Sequence, residues 1–537
     1  MGAKSILRTY IFGYEKDNPS YEFLKRFVFN DSGEEHHPDQ DTIYTANLER
    51  AKVFFEKVLE NLNKEEIEII FTKVTQNLLF NVYSISDEVD VFIAFETMNN
   101  RGKPLSHLEL LKNRLIYLST KINSDIQERT RLRHLINESW KSMYHYLGAN
   151  KENPLSDDEF LFQHFTLYFH SEGVRRYSRY GSLYEIRMSY KDYILNEKFS
   201  ESAIKSLNEE SDSALEFISS YVSSLKKSVE AWFKIRNPEK SNLTTDEILW
   251  LSRIQRFFIS KSYPRAKDPL LLLLSLYLTD TNRDEKIAIM QSLEKYLFIN
   301  DLARPISTSG DDSLDLLKLA TDLYNQSIKS SSILSSLDKW TNEYLNRGGF
   351  IANVSKNFTG QKGYYGWTGI IYLLYEYEEY LRIESKNHRR KLDELQYFRQ
   401  AYGEDIAEDQ RDYITIEHIY PQNPSRRSCW NEEYCDYSIQ ERRILKNNLG
   451  NLLPLSTPKN SSLGNRCFGE KKGIRGSTVG YRYGSYSELQ VAENDDWRPA
   501  QIVSRGLKML DFMETRWGIK LGTRRDKINI LGLSFVR

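Results

Sequence analysis

Apolar residues fall at helical spacing along most of this chain and run together as short strands at only a few places. Tyr21, Leu24, Phe27 and Val28, then Leu48, Val53, Phe54, Val58, Leu59 and Leu62, mark helical faces on either side of a polar DSGEEHHPDQD loop at 31–41. Ile67 to Val74, Leu78 to Ser84 and Val89 to Phe95 are strand-like runs. A helix is predicted from Ser106, because Ser106 and Glu109 form a capping box ahead of Leu108, Leu110, Leu111, Leu115 and Ile116. From 125 to 345 the pattern is helical with polar breaks. Ser156 to Glu159 cap a helix over Phe160 to Phe169, and Thr244 to Glu247 cap another over Ile248 to Ile259. Further helices are predicted over Pro269 to Leu278, Lys286 to Ile299, Ser313 to Leu323 and Tyr364 to Leu381. Two short strands then follow, Ile414 to Ile416 and Leu452 to Leu455, with a helix opening at Ser461. The fold class predicted is predominantly α with small α+β parts.

At 537 residues the chain exceeds what one core usually serves, so several domains are expected. The 35 Tyr and 26 Phe give it ample apolar bulk and argue against disorder. The N-terminus has no long apolar segment of the secretory kind, and Ile6 stands where a myristoylation pattern needs Ser or Thr. The longest apolar run, Leu270 to Leu278, is about half a membrane span. A cytoplasmic protein with no membrane segment is expected. Cys429, Cys435 and Cys467 lack CxxC pairing and are expected as free thiols.

Net charge is −1, yet the basic residues are not evenly spread. From Arg442 to Arg482 there are nine (442, 443, 446, 459, 466, 471, 472, 475 and 482) against one acid, Glu470, a local excess of +8. Such a patch suits salt-dependent nucleic-acid binding. Arg175 to Tyr180 interleaves basic and aromatic groups and suits either a nucleic-acid strand or a solvated amphipathic loop. His36 and His37 lie in the acidic loop, where solvation is the simpler reading.

Two stretches carry candidate chemistry. In the first, Asn99, Arg101 and Gly102 lie between a strand-like run and the helix at Ser106, which carries Lys112. Backbone N–H groups, an Arg and a helix N-terminus facing one region suit a phosphate; a plain strand–turn–helix corner has the same residues. In the second, Glu417-His418 ends a β-branched run. A His beside a carboxylate at a strand end can act as general base while its neighbour helps hold a divalent cation. Asn451 can fix the imidazole, and Asn460, or Asn465, can offer an amide oxygen to Mg²⁺. Taken singly, His418 could be a satisfied strand-end histidine, Asn451 a turn residue and Asn460 a helix cap. Their joint order, coinciding with the basic stretch, favours a site.

FETMNNRGKPLSHLELLKNRL resembles the signature of the GmrS-like half of GmrSD-type restriction endonucleases. EHIYPQN, Trp430, LGNLLPLS, KNSSLGNRCFGEKK and the late Trp497, Pro499, Ile502 and Arg505 resemble the GmrD-like half of the same family. The resemblance implies a partial, ParB-like GmrS-type domain over 1–120 and a helical spacer over 121–359. It implies a GmrD-like domain over 360–537, with an HNH (ββα-metal) nuclease core at about 410–475. It makes His418 the base and Asn451 its orienting partner, with Glu417 and Asn460 as ligands of Mg²⁺ or Mn²⁺. Arg466, Lys471 and Lys472 become phosphate or DNA contacts, and Asn99, Arg101, Gly102 and Lys112 a nucleotide or DNA site. The family's upstream D-G-Q-Q-R segment does not occur in this sequence. The resemblance therefore implies a truncated remnant, with any NTP used only if a second subunit supplies that segment. DNA, such a subunit and a second copy of this chain are the expected partners. The expected function is cleavage of foreign, modified DNA in restriction; a non-catalytic DNA-binding subunit is the competing reading.

Overall fold

Local capping decides most of this architecture. In the computed structural model the residues described are 23–29, 42–79, 105–169, 183–209, 213–257, 268–303, 314–347, 350–367, 369–385, 414–425, 427–473, 476 and 478–537. Among them helices α1 (Ile43–Glu60), α2 (Lys64–Thr72) and α3 (His107–Ser119) come first. The capping box expected at α3 is formed, Ser106 Oγ accepting from Glu109 N at 3.2 Å and Glu109 Oε2 accepting from Ser106 N at 3.1 Å. One expectation is corrected here. Ile67 to Val74 is helical rather than a strand, because Asn63 and Glu66 cap each other (3.0 and 2.9 Å) and start α2 just ahead of it. A continuous apolar run serves a helix and a strand equally well, so the cap decides. The run at Val89 to Phe95, the greater part of Leu78 to Ser84, His36, His37 and Arg175 to Tyr180 lie outside the described residues.

The chain divides into two units. In the first, 1–243 with 271–280 and 320–325, α4 (Ile126–Gly148) packs along α5 (Ser213–Arg236). Trp140 is fully buried on α4 and donates from its indole to Leu108 O at 3.2 Å. Tyr221, on α5, is likewise buried within an aromatic cluster that includes Phe169 and Phe199.

The second unit holds the C-terminal third. Its helical frame comprises α6 (Thr245–Phe257), α7 (Arg283–Ala303), α8 (Ser330–Asn346), α9 (Phe350–Phe358) and α10 (Ile370–Glu384). The helix expected from Tyr364 begins instead at Ile370; Gly363–Gly366 forms a separate single turn. Strand β1 (Ile414–His418) is followed by α11 (Cys429–Glu433) and α12 (Ile439–Lys446). The chain then enters β2 (Leu452–Ser456), which runs straight into α13 (Thr457–Leu463) and on to α14 (Phe468–Lys472). The two strands pair antiparallel, with Ile416 opposite Pro454, Glu417 opposite Leu453 and His418 opposite Leu452. Helix α15 (Pro499–Trp517) lies behind the ribbon. A Cβ on Gly450 would stand 2.0 Å from Ile502 O, so only glycine lets the turn before β2 sit this close to α15. Trp430, Tyr420, Tyr434, Tyr481, Trp497 and Trp517 fill the core between these pieces.

A second expectation is corrected by the cysteines. Cys429 and Cys467 form a disulfide, their Cα atoms 6.1 Å apart, whereas Cys435 is exposed and outside it. The pair lies 38 residues apart in sequence. It meets because α11 and the start of α14 are packed together by Trp430, whose indole donates to Arg466 O at 3.0 Å. Among the described residues no helix is long and apolar enough to cross a membrane.

Candidate active site

The end of β1 sends Glu417 and His418 to opposite faces, as successive strand residues must. On one side, Glu417 Oε1 accepts from Lys471 Nζ at 2.5 Å and from the Tyr481 hydroxyl at 3.0 Å. The Lys471 ammonium also donates to His418 O (3.2 Å) and Ile419 O (3.1 Å), and the side chain has no exposed surface. Burial raises the Glu417 carboxyl and lowers the Lys471 ammonium; their mutual ion pair opposes both shifts. The expected phosphate contact at Lys471 is thereby corrected, since its three donors are spent inside the protein. Lys472 is also buried and donates to Asn494 O at 2.6 Å. Arg466 is exposed, with Nε on Ser462 O and Nη1 3.9 Å from Glu470, and keeps a surface position.

On the other side, His418 Nε2 lies 3.2 Å from Asn447 Oδ1 and 3.0 Å from the Gln422 amide nitrogen. The Asn447 amide is turned by Gln361 O, an obligate acceptor 3.4 Å from its Nδ2, so Oδ1 faces the ring. An acceptor there puts the imidazole proton on Nε2 and leaves the Nδ1 lone pair as the basic atom. The Gln422 amide nitrogen also donates to Asn447 Oδ1, at 3.4 Å, so the two amides and the ring form one cluster. Burial is the main cause that lowers the imidazole to about 4; the Lys471 and Lys446 charges add to it and the Asn447 bond opposes it. His418 is therefore neutral at neutral pH. The Tyr365 ring centroid lies 4.9 Å from that of His418. Lys446, at the C-terminal end of α12, donates to Gln422 O at 2.8 Å.

Asn451 does not reach the imidazole. Its Nδ2 donates to Tyr420 O (2.9 Å) and Lys446 O (2.8 Å), while its Oδ1 accepts from Tyr420 N (2.8 Å) and Trp497 Nε1 (3.0 Å). This fully buried amide uses all its capacity to tie the loop after His418 to the end of α12 and to Trp497. The expected direct contact with the base is corrected to a brace one layer away. Asn460, on α13, donates from Nδ2 to Thr415 Oγ1 at 2.6 Å and so ties that helix to β1. Arg505, buried on α15, donates to Gly450 O (2.9 Å) and Leu452 O (2.7 Å) and holds the same turn from behind.

The donor pair expected for Mg²⁺ or Mn²⁺ does not fit a divalent cation in this arrangement. The Glu417 carboxylate already carries an ammonium at 2.5 Å, and the amide of Asn460, the other expected ligand, is tied to Thr415 Oγ1 at 2.6 Å. No group of three or more His, Cys, Asp or Glu suited to a metal occurs among the described residues. Of the N-terminal candidates, Lys112 lies on α3 with Nζ 6.0 Å from the Tyr144 ring centroid. Asn99, Arg101 and Gly102 are outside the described residues.

Sequence reasoning missed Asn447, Gln422, Lys446 and Tyr365. Gln422 stands inside the quoted EHIYPQN motif, and Lys446-Asn447 directly precede Asn448, so adjacency was the one available signal.

Comparison with known proteins agrees with the resemblance. The family model for the GmrSD restriction endonucleases, C-terminal domain, matches residues 351–512. That for the GmrSD restriction endonuclease, N-terminal domain, matches 4–116. Together they cover just over half of the sequence, and the chain belongs to the GmrSD restriction endonuclease family. No curated protein matches the chain. All the residues around His418 lie inside the C-terminal match.

Proposed function

We propose that the chain is an endonuclease that hydrolyses phosphodiester bonds in foreign, modified DNA, with His418 as its general base. The observation that carries this reading is the neutral imidazole at the end of β1, its Nε2 held by Asn447 and an ammonium, Lys446, close by. Nδ1 removes a proton from water, whose oxygen bonds to phosphorus as the P–O bond to the leaving sugar oxygen breaks. That oxygen takes a proton from solvent, and the imidazolium formed stays bonded through Nε2 to Asn447 Oδ1 until it returns its proton to solvent. The order strand, strand, helix over β1, β2 and α13 supports an HNH-type core. Lys471 and Asn451 position the base, one by clasping the carbonyls of His418 and Ile419 and the other by bracing the loop beyond. No step is routed through Mg²⁺ at Glu417, because Lys471 occupies that carboxylate. A nucleotide or DNA site at Asn99, Arg101, Gly102 and Lys112, a partner subunit carrying the D-G-Q-Q-R segment, and a homodimer that cuts both strands complete the reading.

The test is cleavage of modified and unmodified plasmid by wild-type protein and by His418→Ala, each with Mg²⁺, with Mn²⁺ and with chelator. Wild-type nicking that His418→Ala loses by at least about a hundredfold supports the assignment. Equal nicking by both proteins removes it. The Glu417–Lys471 pair favours one competing reading, a DNA-binding subunit without catalysis. That reading expects salt-sensitive DNA retention with no nicks under any metal condition.

A further inference from the structure

Tyr365, whose ring lies 4.9 Å from that of His418, and Lys446, whose charge is felt by that imidazole, are both neighbours of the candidate base. Tyr365 belongs to the Gly363–Gly366 turn. Its neighbour Tyr364 is the anchor: fully buried, stacked on Phe358 at 3.8 Å, its N–H donating to Asn447 O at 3.0 Å. Gly363 makes that approach possible. Its φ is +49°, and a Cβ there would lie 2.9 Å from Asn447 O. The turn is thus built against the very residue that holds His418, and it leaves Tyr365 43% exposed beside the imidazole.

Lys446 is the residue before Asn447. It is half-buried, its Nζ lies 2.8 Å from Gln422 O and 5.2 Å from the Tyr420 ring centroid. Among the described residues no carboxylate lies within ion-pair distance of it. A partly desolvated ammonium without a counter-charge is a ready partner for an anion. One imidazole therefore has an aromatic face and an uncompensated cation as neighbours, which are the two groups a nucleotide's base and phosphate require.

We propose that Tyr365 and Lys446 form a nucleotide subsite at His418, in which the phosphate to be cut lies on Lys446 and an unpaired base stacks on Tyr365. This rests on the nuclease reading and adds the form of the substrate. In a duplex both faces of each base are covered by neighbours, so the nucleotide that fits is single-stranded or turned out of its stack. Lys446 then supplies next to the base the positive charge that Glu417, paired with Lys471, cannot recruit as a metal.

The experiment uses full-length His418→Ala protein, so that binding is read without cleavage. Oligonucleotides carrying a fluorescent adenine analogue are offered as single strands and as the matching duplex. Single strands are expected to bind more tightly and to quench the analogue. Tyr365→Ala should weaken that binding roughly five- to hundredfold, the range one base–aromatic stack is worth, and abolish the quenching. Tyr365→Trp should retain both. Lys446→Gln should weaken binding and reduce the slope of log K against log salt by about 0.7, the share of one single-strand phosphate contact; Lys446→Arg should restore it. Thermal melts of each variant separate lost contacts from lost fold. Unchanged binding and quenching in folded Tyr365→Ala, or a uniform preference for duplex, overturns the subsite. Cleavage by wild type alongside such a result leaves the nuclease reading standing. Binding as expected with no cleavage by wild type removes that reading and keeps the subsite.

Discussion

At the scale of the residue, protonation is the property that packing controls most directly. His418 is lowered to about 4 from an ordinary 6.5, chiefly by burial, so the folded chain excludes a proton that the unfolded chain takes up between those values. Two consequences follow with definite sign. Cleavage that depends on the neutral ring should persist as pH falls to about 5 and decline only towards about 4. Stability should fall as pH drops below 6.5 and level off below about 4, with an upper bound of about 3 kcal/mol from this group. His164, buried in the first unit and lowered to about 3, pulls in the same direction. Asn447→Asp offers a sharper test. A carboxylate against Nε2–H favours the imidazolium, so the acid limb of the pH–rate profile should move up by one unit or more. An unmoved limb would show that Asn447 does not set the proton on His418. These controls were hard to read from sequence. His418 was legible as a base because it follows an acid at a strand end, but Asn447 is the first of three closely spaced amides, with Asn448 and Asn451 just after it. Only burial and direction separate the one that meets the ring from those that brace the chain: Asn448 donates to Leu531 O (2.7 Å) and Asn451 to Tyr420 O (2.9 Å).

At the scale of the element, the ribbon and its turn are held by donors that serve backbone. Asn451→Ala would orphan Tyr420 N and O, Lys446 O and the Trp497 indole, all of which the amide now satisfies. At about 1–3 kcal/mol for each buried group left unpaired, partly offset by relaxation, the expected cost is several kcal/mol. Urea unfolding should show a larger loss for Asn451→Ala than for His418→Ala, because the amide satisfies four buried groups and the imidazole bonds only Asn447 and Gln422. Equal losses would show that the Asn451 amide braces the turn no more than the imidazole does. Farther from the site, Arg516 on α15 pairs with Glu294 of α7 (3.0 Å) and Glu376 of α10 (3.1 Å), and Arg253 of α6 also meets Glu376 at 3.3 Å. Arg516→Met takes the cation from the buried Glu294, while Glu376 keeps Arg253 and Arg256, and a loss of about 3–5 kcal/mol is expected. Helices of this kind were largely legible, because caps such as Ser106–Glu109 are local. The misread stretch, Ile67 to Val74, has no alternation to choose a period, and its deciding cap, Asn63–Glu66, lies just upstream. The Cys429–Cys467 pair was not legible at all, since nothing local relates residues on separate helices.

At the scale of the whole molecule, the informative quantity is charge and where it ends up. The stretch from Arg442 to Arg482 carries an excess of +8, yet the fold does not present it whole. Lys471 is spent on Glu417, Lys472 on Asn494 O and Lys459 on Glu488, while Arg442 donates to Tyr437 O and Cys435 O. Arg443, Arg466 and Arg482 are exposed and Lys446 is half-buried. Composition could therefore find the patch but not its usable part, because a lysine folded inward and one facing solvent read identically in sequence. Salt dependence of DNA retention distinguishes them. Each phosphate contact contributes about 0.9 to the slope of log K against log salt on duplex DNA. Arg466→Gln should lower that slope by nearly one, and removing Arg443 and Arg482 as well should lower it by up to about three. Lys472→Gln should leave the slope unchanged and reduce stability instead, since it breaks an internal bond to Asn494 O at 2.6 Å. A slope that falls with Lys472→Gln and not with Arg466→Gln would mean that DNA approaches the opposite face of α14, and that the basic face at Arg466 is only solvated.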